Sequence, residues 1–209
     1  GFSTARFGDA RGYLFAAGEI VHTGRYPLST EPFYFRAPGY PFFLAVATLA
    51  HPESVVRAKL ATAAVGAITA PLLALLSAQM FGRRRIAFWT GVAAALHPAF
   101  LWNSADVQSE PLFTTLLLAA GFLLLVATDR PSSTLALAAG GTLALAALTR
   151  ASALALVPLL LAPLLDRRYP IRARAHIAGA ALLGFVLALA PWVARNFVVF
   201  REPLLVNDA

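Results

Sequence analysis

The sequence predicts an all-α protein: a polytopic bundle of transmembrane helices preceded by an external loop of interfacial amphipathic helices. Its residues are 59% hydrophobic and only 13% charged, with a mean hydropathy of +0.70, which lies outside the range of ordinary soluble domains. The basic residues fall in short clusters between long apolar runs. That pattern is typical of loop charges that orient helices, and not of the basic stripe that binds nucleic acid, so we expect no nucleic-acid partner.

The apolar runs beyond residue 54 predict about six spans, because a helix needs roughly 20 apolar residues to cross the hydrocarbon core. Arg150 divides the stretch from Thr134 to Leu165, which is too long for a single crossing. We therefore expect a short helical hairpin there, turning at Thr149 and Arg150. The predicted spans are 55–81, 86–105, 111–128, 134–149, 152–165 and 177–200, of which the fourth and fifth are the shortest.

The first 54 residues are predicted to form the external loop. Residues 9–21 place apolar side chains at helical spacing among charged ones, which favours an amphipathic helix in the membrane interface. Residues 38–50 are apolar but too short to cross, so we expect a second surface helix there. The organisation is then an external loop over 1–54, a membrane core over 55–200 and the start of an external segment over 201–209. Since the chain starts at Gly1 and stops soon after an apolar helix, both ends are expected to be truncated, and the fragment is not expected to be active alone.

Arginine in short loops predicts the orientation of the helices, because such loops are retained in the cytoplasm. If the arginine-bearing loops 83–85, 130 and 167–174 are cytoplasmic, alternation places residues 1–54, the turn at 103–110 and Arg150 outside. Of ten acidic residues, only Asp129 and Asp166 then lie inside. Carboxylates gathered on one side of the membrane indicate a site there. Cysteine is absent, which excludes disulfides and thiolate metal sites.

Asp9 is the first candidate of this outer site. It follows Gly8 at the head of a predicted interfacial helix, where a substrate has access to the carboxylate, so it is suited to act as a general base. An aspartate before a helix also commonly caps the backbone N–H groups of the first turn. Both roles are open at this point.

Asp106 and Glu110 stand four residues apart, so a helical turn would place both on one face. Together with Asp9 they could bind a divalent metal, Mg²⁺ or Mn²⁺ by the chemistry of oxygen ligands, or they could orient an acceptor. The alternative is that two acids at a helix N-terminus only complement the helix dipole. The histidines are scattered, so no histidine metal site is predicted.

Arg150 is the most informative cation, since an arginine at the centre of an apolar helix costs about 2.5–3.5 kcal/mol on insertion scales. Its planar fork suits a phosphate, whereas a hairpin tip would leave it among water and lipid headgroups. Arg195 and Asn196 follow Pro191-Trp192 and could contact the same phosphate, although an anchor for the helix end is favoured. Arg36 is expected to line the acceptor side of the site.

Four stretches of the chain, in their order and spacing, resemble the GT-C family of membrane glycosyltransferases. The branch concerned contains the dolichyl-phosphate-mannose protein mannosyltransferases, the aminoarabinose transferases and their bacterial relatives. Many relatives have a second acidic residue directly after the catalytic aspartate, where this chain has Ala10. The stretches are Gly8-Asp9 with Tyr13 and Ala17, Arg36-Ala37-Pro38-Gly39-Tyr40-Pro41, Ser109-Glu110-Pro111-Leu112-Phe113, and Pro191-Trp192-Val193-Ala194-Arg195-Asn196.

This resemblance implies the transfer of a sugar, with inversion, from a polyprenyl-phosphate carrier to a hydroxyl acceptor of a lipid, glycan or protein. It implies a multi-pass protein of a bacterial inner membrane, in contact with membrane lipids, whose site faces outward. Asp9 would be the catalytic base. The substrate-binding residues would be Arg150, Glu110, Asp106, Arg195, Asn196, Tyr13 and Arg36.

Two other classes fit parts of the sequence. A transporter or flippase for a lipid-linked or small anionic solute would also use external carboxylates and a membrane arginine. Such proteins more often have polar or broken helices at the bilayer midplane, whereas these spans are nearly bare of ionisable groups, which favours an enzyme. A purely structural membrane subunit accounts for the apolar helices and leaves the one-sided carboxylates unexplained.

Overall fold

A computed structural model describes residues 9–27, 37–48, 51 and 53–201 of the chain. All regular structure within these residues is helical, which confirms the predicted all-α class. The helices are α1 (Asp9–Thr23), α2 (Gly39–Thr48), α3 (Val55–Ala67), α4 (Thr69–Phe81), α5 (Arg84–Ala95), α6 (Pro98–Ser104), α7 (Glu110–Asp129), α8 (Ser133–Thr149), a 3₁₀ helix (Ala151–Leu165) and α9 (Ile171–Phe200).

Three helical segments are long and apolar enough to cross a membrane: Val55–Phe81, Glu110–Asp129 and Ile171–Phe200. They correspond to the first, third and sixth predicted spans, although the last begins at Ile171 rather than at Ile177. Exposed apolar side chains such as Leu60, Leu187 and Val198 cover these helices, as expected of surfaces that face lipid. The structure therefore supports association with a membrane.

The first predicted span, Val55–Phe81, is interrupted at a single residue. α3 and α4 meet at Ile68, whose backbone N–H turns back to the carbonyl of Val65 at 3.1 Å. The hydroxyl of Thr115, on α7, donates to the same Val65 carbonyl at 2.9 Å. A side chain of a neighbouring helix thus satisfies a carbonyl at the break, which allows a broken helix within an apolar segment.

The prediction of one helix over 86–105 is wrong. α5 ends at Ala95 and α6 begins at Pro98, with His97 extended at φ −69 and ψ 122 between them. The proline ring has no N–H to donate and keeps the residue before it out of the helical conformation, so Pro98 can only start a new helix. Neither α5 nor α6 is long enough by itself to cross a membrane.

The predicted hairpin at residues 134–165 is confirmed as two segments with a turn at Arg150. α8 ends at Thr149, and Arg150 is extended at φ −148 and ψ 121. The second segment is a 3₁₀ helix of 15 residues that contains Pro158 and Pro163. At a rise of about 2.0 Å per residue, it extends about 30 Å, comparable to the hydrocarbon core.

α7, α8 and α9 form the centre of the fold, and small residues let α8 and α9 approach closely. A Cβ at Gly140 of α8 would overlap the backbone carbonyl of Ala181, and one at Gly184 of α9 would overlap the carbonyl of Leu137. Ala136 and Ala144, one turn on either side of Gly140, are fully buried. In a lipid bilayer the hydrophobic effect does not drive helices together, so they associate through close contacts between small residues such as these.

The two ends of this bundle differ in charge. At one end, the Asp129 carboxylate accepts hydrogen bonds from Gln79 of α4 and from Arg168, both at 2.6 Å, and its backbone carbonyl accepts one from the Tyr169 hydroxyl. The loops after α4, α7 and the 3₁₀ helix therefore meet on one side, as predicted. This surface, called the basic end below, contains Arg83, Arg84, Arg85, Arg130, Arg167, Arg168, Arg172 and Arg174.

α1 and α2 pack together at the opposite end, where α7 begins. The rings of Tyr13 and Tyr40 meet edge to face at 4.8 Å, and the start of α2 lies against the end of α8, since a Cβ at Gly39 would come within 2.7 Å of the Thr149 hydroxyl. Both predicted surface helices are thus present. α7 has 20 residues and is about 30 Å long, which separates this outer end from the basic end.

Gly140 and Gly141 provide a matched test of the α8–α9 contact. A Cβ at Gly141 would meet only ordinary neighbours, 3.8 Å from the Gly184 carbonyl. We expect Gly140→Ala to destabilise the protein by about 1–3 kcal/mol through overpacking, and Gly141→Ala to leave stability unchanged or raise it. Thermal unfolding in detergent measures both. Equal midpoints for the two variants would contradict the close approach.

Candidate functional site

A cluster of polar side chains joins three elements at the outer end. Arg150 donates through Nη1 to Glu110 Oε1 at 2.5 Å and, more weakly, to Ser109 Oγ at 3.5 Å. The hydroxyl of Tyr13 donates to the same Ser109 oxygen at 3.3 Å. α1, the start of α7 and the turn after α8 therefore converge at these four residues, which we call the outer cluster.

Glu110 and Arg150 are held by their backbone positions. Glu110 is the first residue of α7 and precedes Pro111, while Arg150 lies between α8 and the 3₁₀ helix. Their side chains are 37% and 42% exposed, so the pair is reachable from outside and adds little net stability, about 0–1 kcal/mol for an exposed pair. Within the described residues, Nε and Nη2 of Arg150 have no protein partner, which leaves two guanidinium donors for a ligand.

Asp9 is the first residue of α1 and is exposed. It lies one helical turn before Tyr13, and residues four apart share a face of a helix. Because Tyr13 contacts Ser109, the face that carries Asp9 is the one that meets the outer cluster. Asp9, Glu110 and Arg150 thus lie at the same end of the molecule, and the role of Asp9 as a base stays a prediction.

Asp106 does not share a helical turn with Glu110, and that expectation is wrong. It lies in the bend between α6 and α7, where its carboxylate accepts the backbone N–H of Val107 at 2.8 Å. This local hydrogen bond competes with helix formation. The same oxygen is 3.3 Å from Lys59 Nζ, and both side chains are buried, 3% exposed for Lys59 and 1% for Asp106. Asp106 and Glu110 therefore belong to different ion pairs.

Lys59 is the residue that the sequence analysis missed. It lies in the second turn of α3, inside the apolar segment Val55–Phe81. A charged residue in such a segment needs a partner, and that rule alone could have led to it. The partner Asp106 lies in the bend that leads into Ser109 and Glu110. The buried pair therefore holds in place the segment that positions two residues of the outer cluster.

Tyr40 lies beneath Tyr13 and is fully buried. Its hydroxyl and that of Thr62, on α3, share a hydrogen bond of 2.6 Å. Burial raises the pKa of Tyr40 well above its usual value, so the phenol stays neutral. It therefore acts as a hydrogen-bonding support and not as a source of charge.

A large cavity of about 970 Å³ opens beside the outer cluster, between α2, α7, α8 and α9. Such a volume lies at the upper end of ordinary ligand sites. Most of its wall is apolar, with Phe42, Phe43, Val46, Leu112, Leu116, Leu145, Leu148, Ala188, Pro191, Trp192 and Val199 among the lining residues, and Gly24, Arg25, Tyr26, Pro38, Gly39, Thr149 and Arg195 complete it.

A second cavity of about 360 Å³ is lined by Glu110 and Arg150 together with residues of α4, α6 and α7. Thr149 lines the large cavity and Arg150 lines the smaller one. The turn after α8 therefore separates the large, mainly apolar cavity from a smaller one that Glu110 and Arg150 line.

Arg195 and Asn196 lie apart from the outer cluster, on the wall of the large cavity and in the core respectively. The guanidinium of Arg195 lies 4.8 Å from the ring centroid of Trp192, and its Nη2 donates to the Tyr26 carbonyl at 3.3 Å. Its Nη1 donates to the buried side chain of Asn196 at 3.0 Å. These contacts are those of a helix anchor, and a phosphate contact stays a prediction. Arg36 lies outside the described residues.

No three His, Asp or Glu side chains of the described residues gather in a group that could hold a metal ion. Asp106, one of the three predicted ligands, is engaged with Lys59. The divalent metal, Mg²⁺ or Mn²⁺, therefore stays a prediction that the described geometry does not strengthen.

The chain matches no family model, and it matches no curated protein and no solved structure. The resemblance to the GT-C glycosyltransferases thus rests on the quoted motifs alone.

Breaking the buried Lys59–Asp106 pair from one side should be costly. Lys59→Met removes the ammonium group beside a buried carboxylate and is expected to lower the free energy of unfolding by about 3–5 kcal/mol. Lys59→Met combined with Asp106→Leu removes both charges and should recover most of that loss. Thermal unfolding of the single and double variants tests this, and a double variant as unstable as the single one would show that the pair is not coupled.

Proposed function

We propose that this chain is the membrane-embedded part of a glycosyltransferase that moves a sugar from a polyprenyl-phosphate carrier to a hydroxyl acceptor, with inversion at the anomeric carbon. In this proposal the protein is a multi-pass protein of a bacterial inner membrane, with its site on the outer face. The observation that supports it best is the position of Arg150, at the turn between a large, mainly apolar cavity and a smaller one that it lines together with Glu110.

The large cavity suits the prenyl chain of the donor. Its walls are mainly aliphatic and aromatic side chains from α2, α7, α8 and α9. Burying apolar surface from water is favourable by about 25 cal/mol per Å² of transfer free energy, but a prenyl chain that enters from lipid gains much less. The shape of the cavity, and not burial, must therefore select the chain. Phe42 and Val46 of α2 are exposed beside the cavity, which gives a chain a lateral path from the bilayer.

The donor phosphate would then lie at Arg150, the neighbour in the chain of Thr149, which lines that cavity. Glu110 occupies only Nη1 of the guanidinium, so Nε and Nη2 can donate to phosphate oxygens. As the bond from the anomeric carbon to the phosphate oxygen breaks, negative charge grows on the phosphate. A fixed arginine stabilises that state more than the ground state, which is how it lowers the barrier.

Asp9 would accept the proton of the acceptor hydroxyl. The hydroxyl oxygen forms a bond to the anomeric carbon from the side opposite the phosphate, and the bonding electrons of the broken bond leave with the polyprenyl phosphate. One proton passes to the Asp9 carboxylate, so charge and atoms balance without a further reactant. Tyr13, one turn along α1, would orient the acceptor, and its hydroxyl donates to Ser109 in the outer cluster.

A transporter or flippase is the second candidate, and one observation favours it. The segment Val55–Phe81 is broken at Ile68, near its middle, where the Thr69 and Thr115 hydroxyls meet at 3.2 Å. Broken helices with polar contacts at mid-membrane are typical of transporters. A transporter moves its solute without breaking a covalent bond, so release of free polyprenyl phosphate separates the two candidates.

Asp9→Asn should abolish this release. The amide cannot accept the acceptor proton, so we expect turnover to fall by about 10²–10⁴-fold while the protein still inserts and folds. Glu19→Gln removes the same charge from the same helix and should leave turnover unchanged. The assay is release of polyprenyl phosphate in membranes that contain the full-length protein and the sugar-bearing carrier. Equal rates for wild type and Asp9→Asn would remove Asp9 from the mechanism.

Arg150→Ala should lower turnover by about a hundredfold, because one donor to developing charge is worth roughly 3 kcal/mol of barrier. Arg150→Lys retains the charge without the planar fork, so its turnover should lie between those of the wild type and Arg150→Ala. The amount of each variant in the membrane is measured in parallel. A loss of turnover that only follows a loss of protein would show that Arg150 is structural.

A further inference from the structure

The basic end carries charge that the protein itself does not neutralise. Among the described residues of this end, eight arginines stand against two carboxylates, Asp129 and Asp166. Arg168 bonds to both, at 2.6 Å in each case. These contacts hold the pKa of the Asp166 carboxyl below its usual value, so it stays ionised and committed to Arg168. The remaining arginines form no ion pair with a described carboxylate.

Three separate loops build this surface. Gln79 and Arg168 both bond to the Asp129 side chain, which ties the end of α4 and the linker before α9 to the end of α7. The Arg83–Arg85 run that follows α4 is exposed, as are Arg130 and Arg167. Because their loops meet at Asp129, these arginines lie at the same end of the bundle.

Exposed apolar residues adjoin the arginines in the chain. Met80 and Phe81 precede the Arg83–Arg85 run, and Leu165, which is 82% exposed, precedes Arg167. Ile171 and Arg172 repeat this order at the start of α9. A phospholipid has apolar acyl chains and a charged phosphate. The apolar side chains of this surface suit the acyl chains, and the adjoining guanidinium groups suit the phosphate.

We propose that the basic end binds the headgroups of anionic phospholipids in the leaflet opposite the outer cluster. The charge complementarity argues for a lipid, since clusters of four to eight basic residues at a membrane boundary attract anionic leaflets. Arg83, Arg84 and Arg85 supply the fork geometry that suits a phosphodiester. This inference needs only the membrane position of the helices and is independent of the proposed transferase activity.

Titration of short-chain phosphatidylglycerol and phosphatidylcholine into the detergent-solubilised full chain tests the proposal. Phosphatidylglycerol should bind about tenfold more tightly or better, and the difference should shrink as salt rises. Arg83→Gln/Arg84→Gln/Arg85→Gln should weaken phosphatidylglycerol binding by about tenfold, to the level of phosphatidylcholine, and leave phosphatidylcholine binding unchanged.

The control is Arg11→Gln/Arg57→Gln/Arg201→Gln, which removes the same charge from exposed residues near the outer end. It should bind phosphatidylglycerol as the wild type does. If the first triple variant fails to fold, Arg167→Gln/Arg172→Gln tests the same face and should also weaken binding. Equal affinity of the wild type for the two lipids, or an equal loss in the control variant, would overturn the proposal.

Discussion

The contact between Glu110 and Arg150 is the constraint on which the outer end depends. It joins the first residue of α7 to the extended residue that separates α8 from the 3₁₀ helix, and Ser109 extends it to Tyr13 of α1. The pair itself is half exposed and contributes little stability. Its importance is geometric, because it sets a cation at the turn between the two cavities.

The stability of this arrangement comes from elsewhere in the fold. Close packing of α8 on α9 through Gly140 and Gly184 fixes where α8 ends, and therefore where Arg150 lies. The buried Lys59–Asp106 pair fixes the bend that begins α7. Rigid, buried contacts thus hold an exposed and weakly bonded ion pair in place, which is the division of work expected of a binding site.

Length and hydropathy were enough to predict the helical class, the hairpin at Arg150 and the common side of the arginine-bearing loops. They failed where local chemistry decides a break. Pro98 splits one predicted span, and Thr115 supports the break at Ile68 from a helix that is distant in sequence. Periodicity also placed Asp106 on a helical turn with Glu110, because it takes no account of the carboxylate bonding its own neighbour's N–H.

The residues of the candidate site were predictable from the sequence, but their contacts were not. Glu110 and Arg150 each stand out as charged residues at the ends of apolar runs, but their pairing depends on how α7 and α8 pack. Lys59 does not stand out in the sequence, because it lies within a long apolar segment that reads as one membrane span. The two cavities arise from the packing of helices that are distant in the sequence, so no local sequence pattern predicts them.

Cysteine labelling tests the central claim most directly, since the chain contains no cysteine of its own. Ser152→Cys lies in the smaller cavity beside Arg150, and Pro131→Cys is exposed at the basic end. In intact cells a membrane-impermeant maleimide should label Ser152→Cys alone, and polyprenyl phosphate should protect it unless Arg150 is also replaced by alanine. Labelling of Pro131→Cys alone, or protection that persists without Arg150, would contradict a phosphate site at the outer face.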